Sequence, residues 1–372
     1  MRYIIKNGRI ILPEGIVEGK SLVLEDGIIK EIVEDLKYSG DDKVIDARNN
    51  FVSPGFFDTH VHGASLYGFE TDRPDEYYSI CEILLSNGVT TIMPTLICNE
   101  TYIRNLVRNI NSVPEFKKMI AGIYLEGPFV NPSKKGGINP EYIRKPDVDY
   151  LKKIIDISGG WLRMMTIAPE LDGIDNIIEL LLQNDIIPGF GHSNASLNTA
   201  LNTKGVKNMT HLFNAMSGIS HRAPGLAALP FVNRDIFVEV NGDGIHIDNN
   251  IIKMAYLNLY RDKLIFITDA VVSAGKPYGE YIYDNKKVVS SERGVRYSDN
   301  DVLMGSNNLI PDVLRNVTHV TGGDIVDILR TVTLNPAKLL GIDDRKGSIE
   351  PGKKADIVIF DKDFRVGEVI FG

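Results

Sequence analysis

The sequence has 372 residues, 43% hydrophobic and 24% charged, with a formal net charge of −8, which excludes a disordered or collagenous chain and a strongly basic nucleic-acid surface. Two cysteines, Cys81 and Cys98, cannot build a disulfide scaffold, and without a Cys-x-x-Cys pair no thiolate zinc or redox motif exists. The N-terminal run has internal charges and no cleavage site, and no apolar stretch approaches ~20 residues, so no membrane partner and a cytoplasmic location are expected.

The first fifty residues read as short strands: Tyr3–Ile5, Arg9–Leu12, Ser21–Leu24 and Ile28-Ile29. Asn7-Gly8 and Asp26-Gly27 between them mark tight turns, because both residue types tolerate the positive φ that hairpins require. From residue 51 onward, short apolar runs alternate with helical stretches. Eight strand candidates occur in order: Phe51–Phe57, Val89–Met93, Ile120–Leu125, Leu162–Ile167, Ile186–Phe190, Lys207–Met209, Ile236–Val240 and Leu264–Ile267. Amphipathic segments such as Asp75–Ser86, Asp175–Gln183 and Asn249–Tyr260 lie between them. Eight βα-like units predict an α/β chain with a (β/α)8 TIM-like barrel over 51–344, a doubly wound sheet being the alternative. Polar residues 276–302 read as a hairpin insertion after the eighth strand. Gly347–Ile349, Ala355–Phe360 and Val366–Phe371 return to strand character, so 1–50 plus 345–372 are expected to form one small β-sandwich domain.

The strand ends carry the more telling residues. His60 and His62 come after the first strand, Glu126 after the third, His192 after the fifth and His211 after the sixth; His246 lies just past the seventh and Asp269 closes the eighth. In a barrel these positions share one rim, where the catalytic groups of this fold collect. Five of the seven histidines fall at strand ends, which scattered placement would not produce, so a shared metal site outweighs seven unrelated core or surface histidines. Imidazole and carboxylate donors suit a divalent metal, Zn or Fe, with one or two ions per subunit. Asp269 fits a ligand, a general base or a helix-capping carboxylate. A divalent ion brings the pKa of bound water toward ~7, and a nearby acceptor takes its proton and later hands it to a leaving amine.

Competing motifs are weaker. Gly191-His192-Ser193-Asn194-Ala195 resembles a nucleophile elbow but ends in Ala, and a histidine inside it is better used as a ligand. Gly347 to Lys354 imitates a phosphate loop without its Ser/Thr, and no G-x-G-x-x-G follows a strand. Lys134, Lys135 and Arg222 lie in glycine-containing loops suited to an anion, or else are solvated surface charges.

Together the stretches Pro54 to Gly63, Leu125-Glu126-Gly127-Pro128-Phe129, Gly191 to Ala195, Thr210 to Met216, His221-Arg222-Ala223-Pro224-Gly225, Asp243-Gly244-Ile245-His246 and Thr268-Asp269-Ala270 resemble the amidohydrolase superfamily. Within it they are similar to the N-acetylglucosamine-6-phosphate deacetylases. The resemblance runs the length of the chain. It implies hydrolysis of the acetamide of an amino-sugar 6-phosphate to acetate and a free amine. It further implies that Glu126, His192 and His211 hold the main metal, that His60, His62 and Asp269 offer a second site, and that Asp269 is the acid/base. His246, Asn214, Ala215 and Arg222 would contact substrate, Arg222 across the interface of a homodimer. Two positions depart from the family pattern. Ile138 stands where many members have a sugar-contacting His, and Ala223 replaces Glu. Lost polar contacts at Ile138 leave N-acetylgalactosamine 6-phosphate open as substrate. A related amidohydrolase acting on a cyclic or other N-acyl amide is the second reading. A catalytically inert barrel is the third, and the complete donor set argues against it.

Overall fold

Strands covered on both faces read as continuous apolar runs, and Leu264–Ile267 and Val89–Ile97 are buried along nearly their whole length. The computed structural model describes residues 1–34, 40–259 and 261–372. Among these, eight parallel strands pair in chain order: β1 (Phe56–Val61), β2 (Val89–Ile97), β3 (Ile123–Glu126), β4 (Leu162–Ile167), β5 (Ile187–Phe190), β6 (Asn208–Met209), β7 (Phe237–Asn241) and β8 (Leu264–Ile267). The ring closes where Asp269 N donates to His60 O at 2.9 Å and Val61 bridges Ala270 in parallel. The barrel, not the doubly wound sheet, is the architecture.

Helices Pro74–Ser86, Ile174–Gln183 and Asn249–Asn258 match the expected amphipathic segments, with Asp248 capping the last through Asn250 N. Tyr260, the expected end of that segment, lies outside the described residues. Inside the barrel, Phe57, Met93, Tyr124, Met164, Ile187 and Ile265 form an apolar plug. Each such side chain contributes about 1.5–3 kcal/mol when fully buried. The Tyr124 hydroxyl lies 2.8 Å from Thr210 Oγ1 and accepts from Thr166 Oγ1 at 3.0 Å, placing a hydroxyl layer over the plug. The rim opens above it.

Two smaller sheets pack face to face. Ile28–Val33, Ser21–Glu25, Arg2–Lys6 and Lys43–Asp46 form one; Val366–Ile370, Ile357–Phe360, Phe51–Pro54, Arg9–Leu12 and Gly15–Val17 form the other. Ile5, Leu22 and Leu24 from the first meet Ile10, Val52 and Ile357 from the second in a shared core. Three expectations need correction. The run Phe51–Phe57 is two strands, since Phe51–Pro54 pairs in the small sheet and only Phe56 onward enters the barrel. Gly347–Ile349 is no strand: Gly347 adopts φ +92°, and the segment turns instead of extending. The insertion after β8 is a four-stranded antiparallel meander, not a single hairpin: Gly279–Tyr283, Lys286–Ser291, Gly294–Tyr297 and Leu303–Gly305. Val288, Val295 and Tyr297 pack it against Val271 and Val272 just after β8.

Candidate active site

Alternate residues of a strand share a face, so His60 and His62 at the end of β1 both point into the barrel mouth. Glu126 ends β3. Beyond β5, β6 and β8 the backbone passes through the left-handed region at His192 (φ 46°), His211 (φ 30°) and Asp269 (φ 51°). That conformation costs roughly 1–2 kcal/mol for a residue with a Cβ. Three such outliers on one rim, each carrying a donor side chain, mark a functional constraint.

Two donor groups result, each with its ligand atoms within 4.8 Å of one another: Glu126, His192, His211 and His60, His62, Asp269. In the first, Glu126 Oε1 lies 2.9 Å from Nε2 of both His192 and His211, whose Nε2 atoms are 3.1 Å apart. In the second, Asp269 Oδ1 lies 3.4 Å from His62 Nε2 and 3.8 Å from His60 Nε2. Glu126 sits between the groups, its Oε2 3.5 Å from His62 Nε2. Burial pushes the Glu126 carboxyl up, but the charge and hydrogen bond of His192, with the bond from His211, hold it well below the usual carboxylate range. Burial likewise opposes ionisation of Asp269, and the His62 hydrogen bond with the charges of His60 and His62 lowers it nonetheless.

The residues present fit a divalent metal. Among the described residues His60 Nε2 is buried without a hydrogen-bond partner, and Nε2 of His192, Nε2 of His211 and Glu126 Oε1 converge to within 3.1 Å of one another, as donors aimed at one centre do. Outer contacts fix several rings. His192 Nδ1 donates to Lys134 O at 2.8 Å and His246 Nδ1 to Asp243 Oδ2 at 2.7 Å. His60 Nδ1 faces Glu239 Oε2 at 3.3 Å. Asp58 accepts from Thr268 Oγ1 at 2.5 Å, clipping the end of β1 to that of β8. His246 Nε2 stands 3.6 Å from Asp269 Oδ2.

The donors open into a cavity of about 270 Å³, lined also by Asn214, Ala215 and Ile138. Tyr297 and Met304 bring the meander over one wall, where the Tyr297 hydroxyl donates to Gly137 O at 3.1 Å. Every predicted site residue except Arg222 meets here: Arg222 is exposed and lines no part of the cavity, nor do Lys134 and Lys135. Among the described lining residues none is Lys or Arg, whereas Glu70 and Asp284 both are present.

Sequence reasoning passed over Glu239, Asp243 and Glu70. Asp243 was within reach, because an Asp three residues before His246 in Asp-Gly-x-His is placed to meet it. Glu239 carried a fainter signal, a charged residue between two valines in an apolar strand.

The family model for the amidohydrolase family matches residues 51–371. An N-acetylglucosamine-6-phosphate deacetylase from Bacillus subtilis is 32% identical, covering 98% of this chain and 94% of that one. An N-acetylgalactosamine-6-phosphate deacetylase from Escherichia coli O157:H7 is 28% identical over 99% of this chain and 98% of its own. The crystal structure of the N-acetylglucosamine-6-phosphate deacetylase from Pasteurella multocida superposes with a TM-score of 0.93 at 28% identity, covering 100% of this chain and 98% of that one.

Proposed function

Since the chain belongs to the amidohydrolase family, in the branch of the N-acetylglucosamine-6-phosphate deacetylases, we propose that it hydrolyses the acetamide of N-acetyl-D-glucosamine 6-phosphate to D-glucosamine 6-phosphate and acetate. The observation that carries this reading is the pair of donor groups joined through Glu126 at the floor of the cavity. Glu126, His192 and His211 would hold the main divalent ion, and His60, His62 and Asp269 a second. Bound there, such ions polarise a carbonyl and acidify water.

The chain's own residues supply the rest. Asp269, kept ionised, accepts a proton from the attacking water and delivers it to the amide nitrogen as the C–N bond breaks. His246 Nε2, 3.6 Å from that carboxylate, donates to the carbonyl oxygen as charge develops on it, its ring held by Asp243. Asn214 and Ala215 bind the sugar phosphate along the neighbouring wall. A dianionic phosphate finds no Lys or Arg among the described lining residues, which supports Arg222 entering from the second subunit of a homodimer.

In this reading the barrel, from Phe56 to residue 344, is the hydrolytic domain and the β-sandwich, 1–54 plus 345–372, a support. A cytoplasmic location follows from a charged substrate that does not cross lipid, and the two buried free cysteines accord with it. The place in metabolism is amino-sugar catabolism or recycling. A second reading, N-acetylgalactosamine 6-phosphate as substrate, is favoured by one observation: Ile138 is buried in the cavity wall and offers no donor to a sugar hydroxyl. The test is acetate release from both epimeric phosphates, with metal content measured on the same protein. Faster turnover of the gluco epimer is expected. Preference for the galacto epimer selects the second reading, and acetate from neither epimer rejects both.

A further inference from the structure

We propose that Glu239 is a positioning residue for the second donor group, holding His60 in the tautomer and orientation that His60, His62 and Asp269 need to take a divalent ion. The inference rests on the two-ion reading above and adds to it a residue outside the ligand set.

Glu239 lies in the middle of β7 between Val238 and Val240 and is fully buried. A carboxylate in such a place is costly unless it is paired and hydrogen-bonded. Among the described residues its ion-pair partner is His60 alone, Nδ1 to Oε2 at 3.3 Å, while Thr59 Oγ1 donates to Oε1 at 3.4 Å. This buried charge is therefore committed to one imidazole. Within the two donor groups, and among the described residues, His60 alone has a carboxylate behind its outer nitrogen: His192 uses a backbone carbonyl, and the outer nitrogens of His62 and His211 have no hydrogen-bond partner.

The consequence is directional. With Nδ1–H given to Glu239, the lone pair of His60 sits on Nε2, which is buried without a hydrogen bond. Nε2 faces Asp269 Oδ1 and Glu126 Oε1, each 3.8 Å away. That separation is too long for a hydrogen bond, yet two bonds of ~2.0–2.2 Å to one ion bridge it. A carboxylate behind a ligating imidazole fixes the ring and raises the basicity of the coordinating nitrogen. A purely architectural clip of β1 to β7 would use the same Nδ1–H but would leave the affinity of the second donor group for an ion unchanged.

The experiment titrates the full-length apoprotein with Zn²⁺ in competition with a chromophoric chelator, for the parent, Glu239→Gln, His60→Asn and the double variant. Two ions per subunit are expected in the parent. Glu239→Gln should weaken the second by about 10- to 100-fold and leave the first in place. Adding it to His60→Asn should cost no further affinity. A Glu239→Gln protein that binds both ions as tightly as the parent, or loses both equally, overturns the role. A parent that takes one ion overturns the two-ion reading and this role with it. Should Glu239→Gln fail to fold, histidine ¹⁵N spectra of the Zn²⁺-loaded parent decide: a protonated His60 Nδ1 with coordinated Nε2 is expected, and the opposite assignment refutes the proposal.

Discussion

Asp243 Oδ2 accepts the Nδ1–H of His246 at 2.7 Å, leaving the other ring nitrogen 3.6 Å from Asp269 Oδ2. Burial alone would push this imidazole down, but the Asp243 hydrogen bond and the charges of Asp243 and Asp269 outweigh it and raise it. Asp243→Asn preserves shape while offering Nδ1 an amide that donates as readily as it accepts, so ring orientation is lost. We expect kcat to fall at least about tenfold with a smaller change in KM, read by steady-state acetate release. Parental kcat in the variant would show that Asp243 does not position His246 for the reaction.

Asp269→Asn keeps an oxygen donor in the second group but cannot shuttle a proton. Its kcat should drop by roughly 10²- to 10⁴-fold while KM stays within a few-fold. Metal analysis accompanies the kinetics, since the first ion should be retained.

Dialysis against a chelator should abolish activity, and Zn²⁺ or Fe²⁺ added back should restore it. The apoprotein should also melt earlier, because an ion held only by the folded state adds about 2.7 kcal/mol at a hundred times its Kd. Activity and melting temperature indifferent to chelation would contradict a metal centre at Glu126.

Arg222→Ala should raise KM for the 6-phosphate about tenfold or more and leave the rate on unphosphorylated N-acetylglucosamine unchanged. If Arg222 acts across a two-fold interface, mixing Arg222→Ala with Asp269→Asn restores one intact site per hybrid dimer, about a quarter of parental activity for random pairing. No recovery on mixing would place Arg222 outside the partner's site.

Glu70 lines the cavity, and burial, with the Asp284 charge adding to it, pushes its carboxyl up to about 7. The folded state therefore holds a proton that the unfolded chain releases between the ordinary glutamate value and about 7. Stability from this group falls as pH rises through that window and levels off above it. Glu70→Gln cannot acquire the buried charge, so its stability relative to the parent should increase from about pH 5 to about pH 8. Urea unfolding at both pH values reads it; a constant difference would show that Glu70 ionises without cost in the fold.

Elements whose character lies within their own residues were legible from the chain. Leu162–Ile167 and Leu264–Ile267 coincide with β4 and β8, since an apolar run between polar segments declares a strand whatever it pairs with. Phe51–Phe57 looked like one strand for the same reason, and the division at Gly55 was hidden. An added Cβ at Gly55 would stand 2.0 Å from Thr90 Oγ1, a close approach made by residues 35 positions later.

The sequence by itself determined the donor set, its spacing behind successive strands and hence the metal-binding chemistry, because side-chain type and strand periodicity are local properties. Only the tertiary structure decided that Glu126 lies between two histidine groups, that Glu239 and Asp243 stand behind His60 and His246, and that Arg222 lines no part of the cavity of its own chain. Those relationships depend on which distant segments share the barrel interior, and burial and pairing arise only when the ring of strands closes.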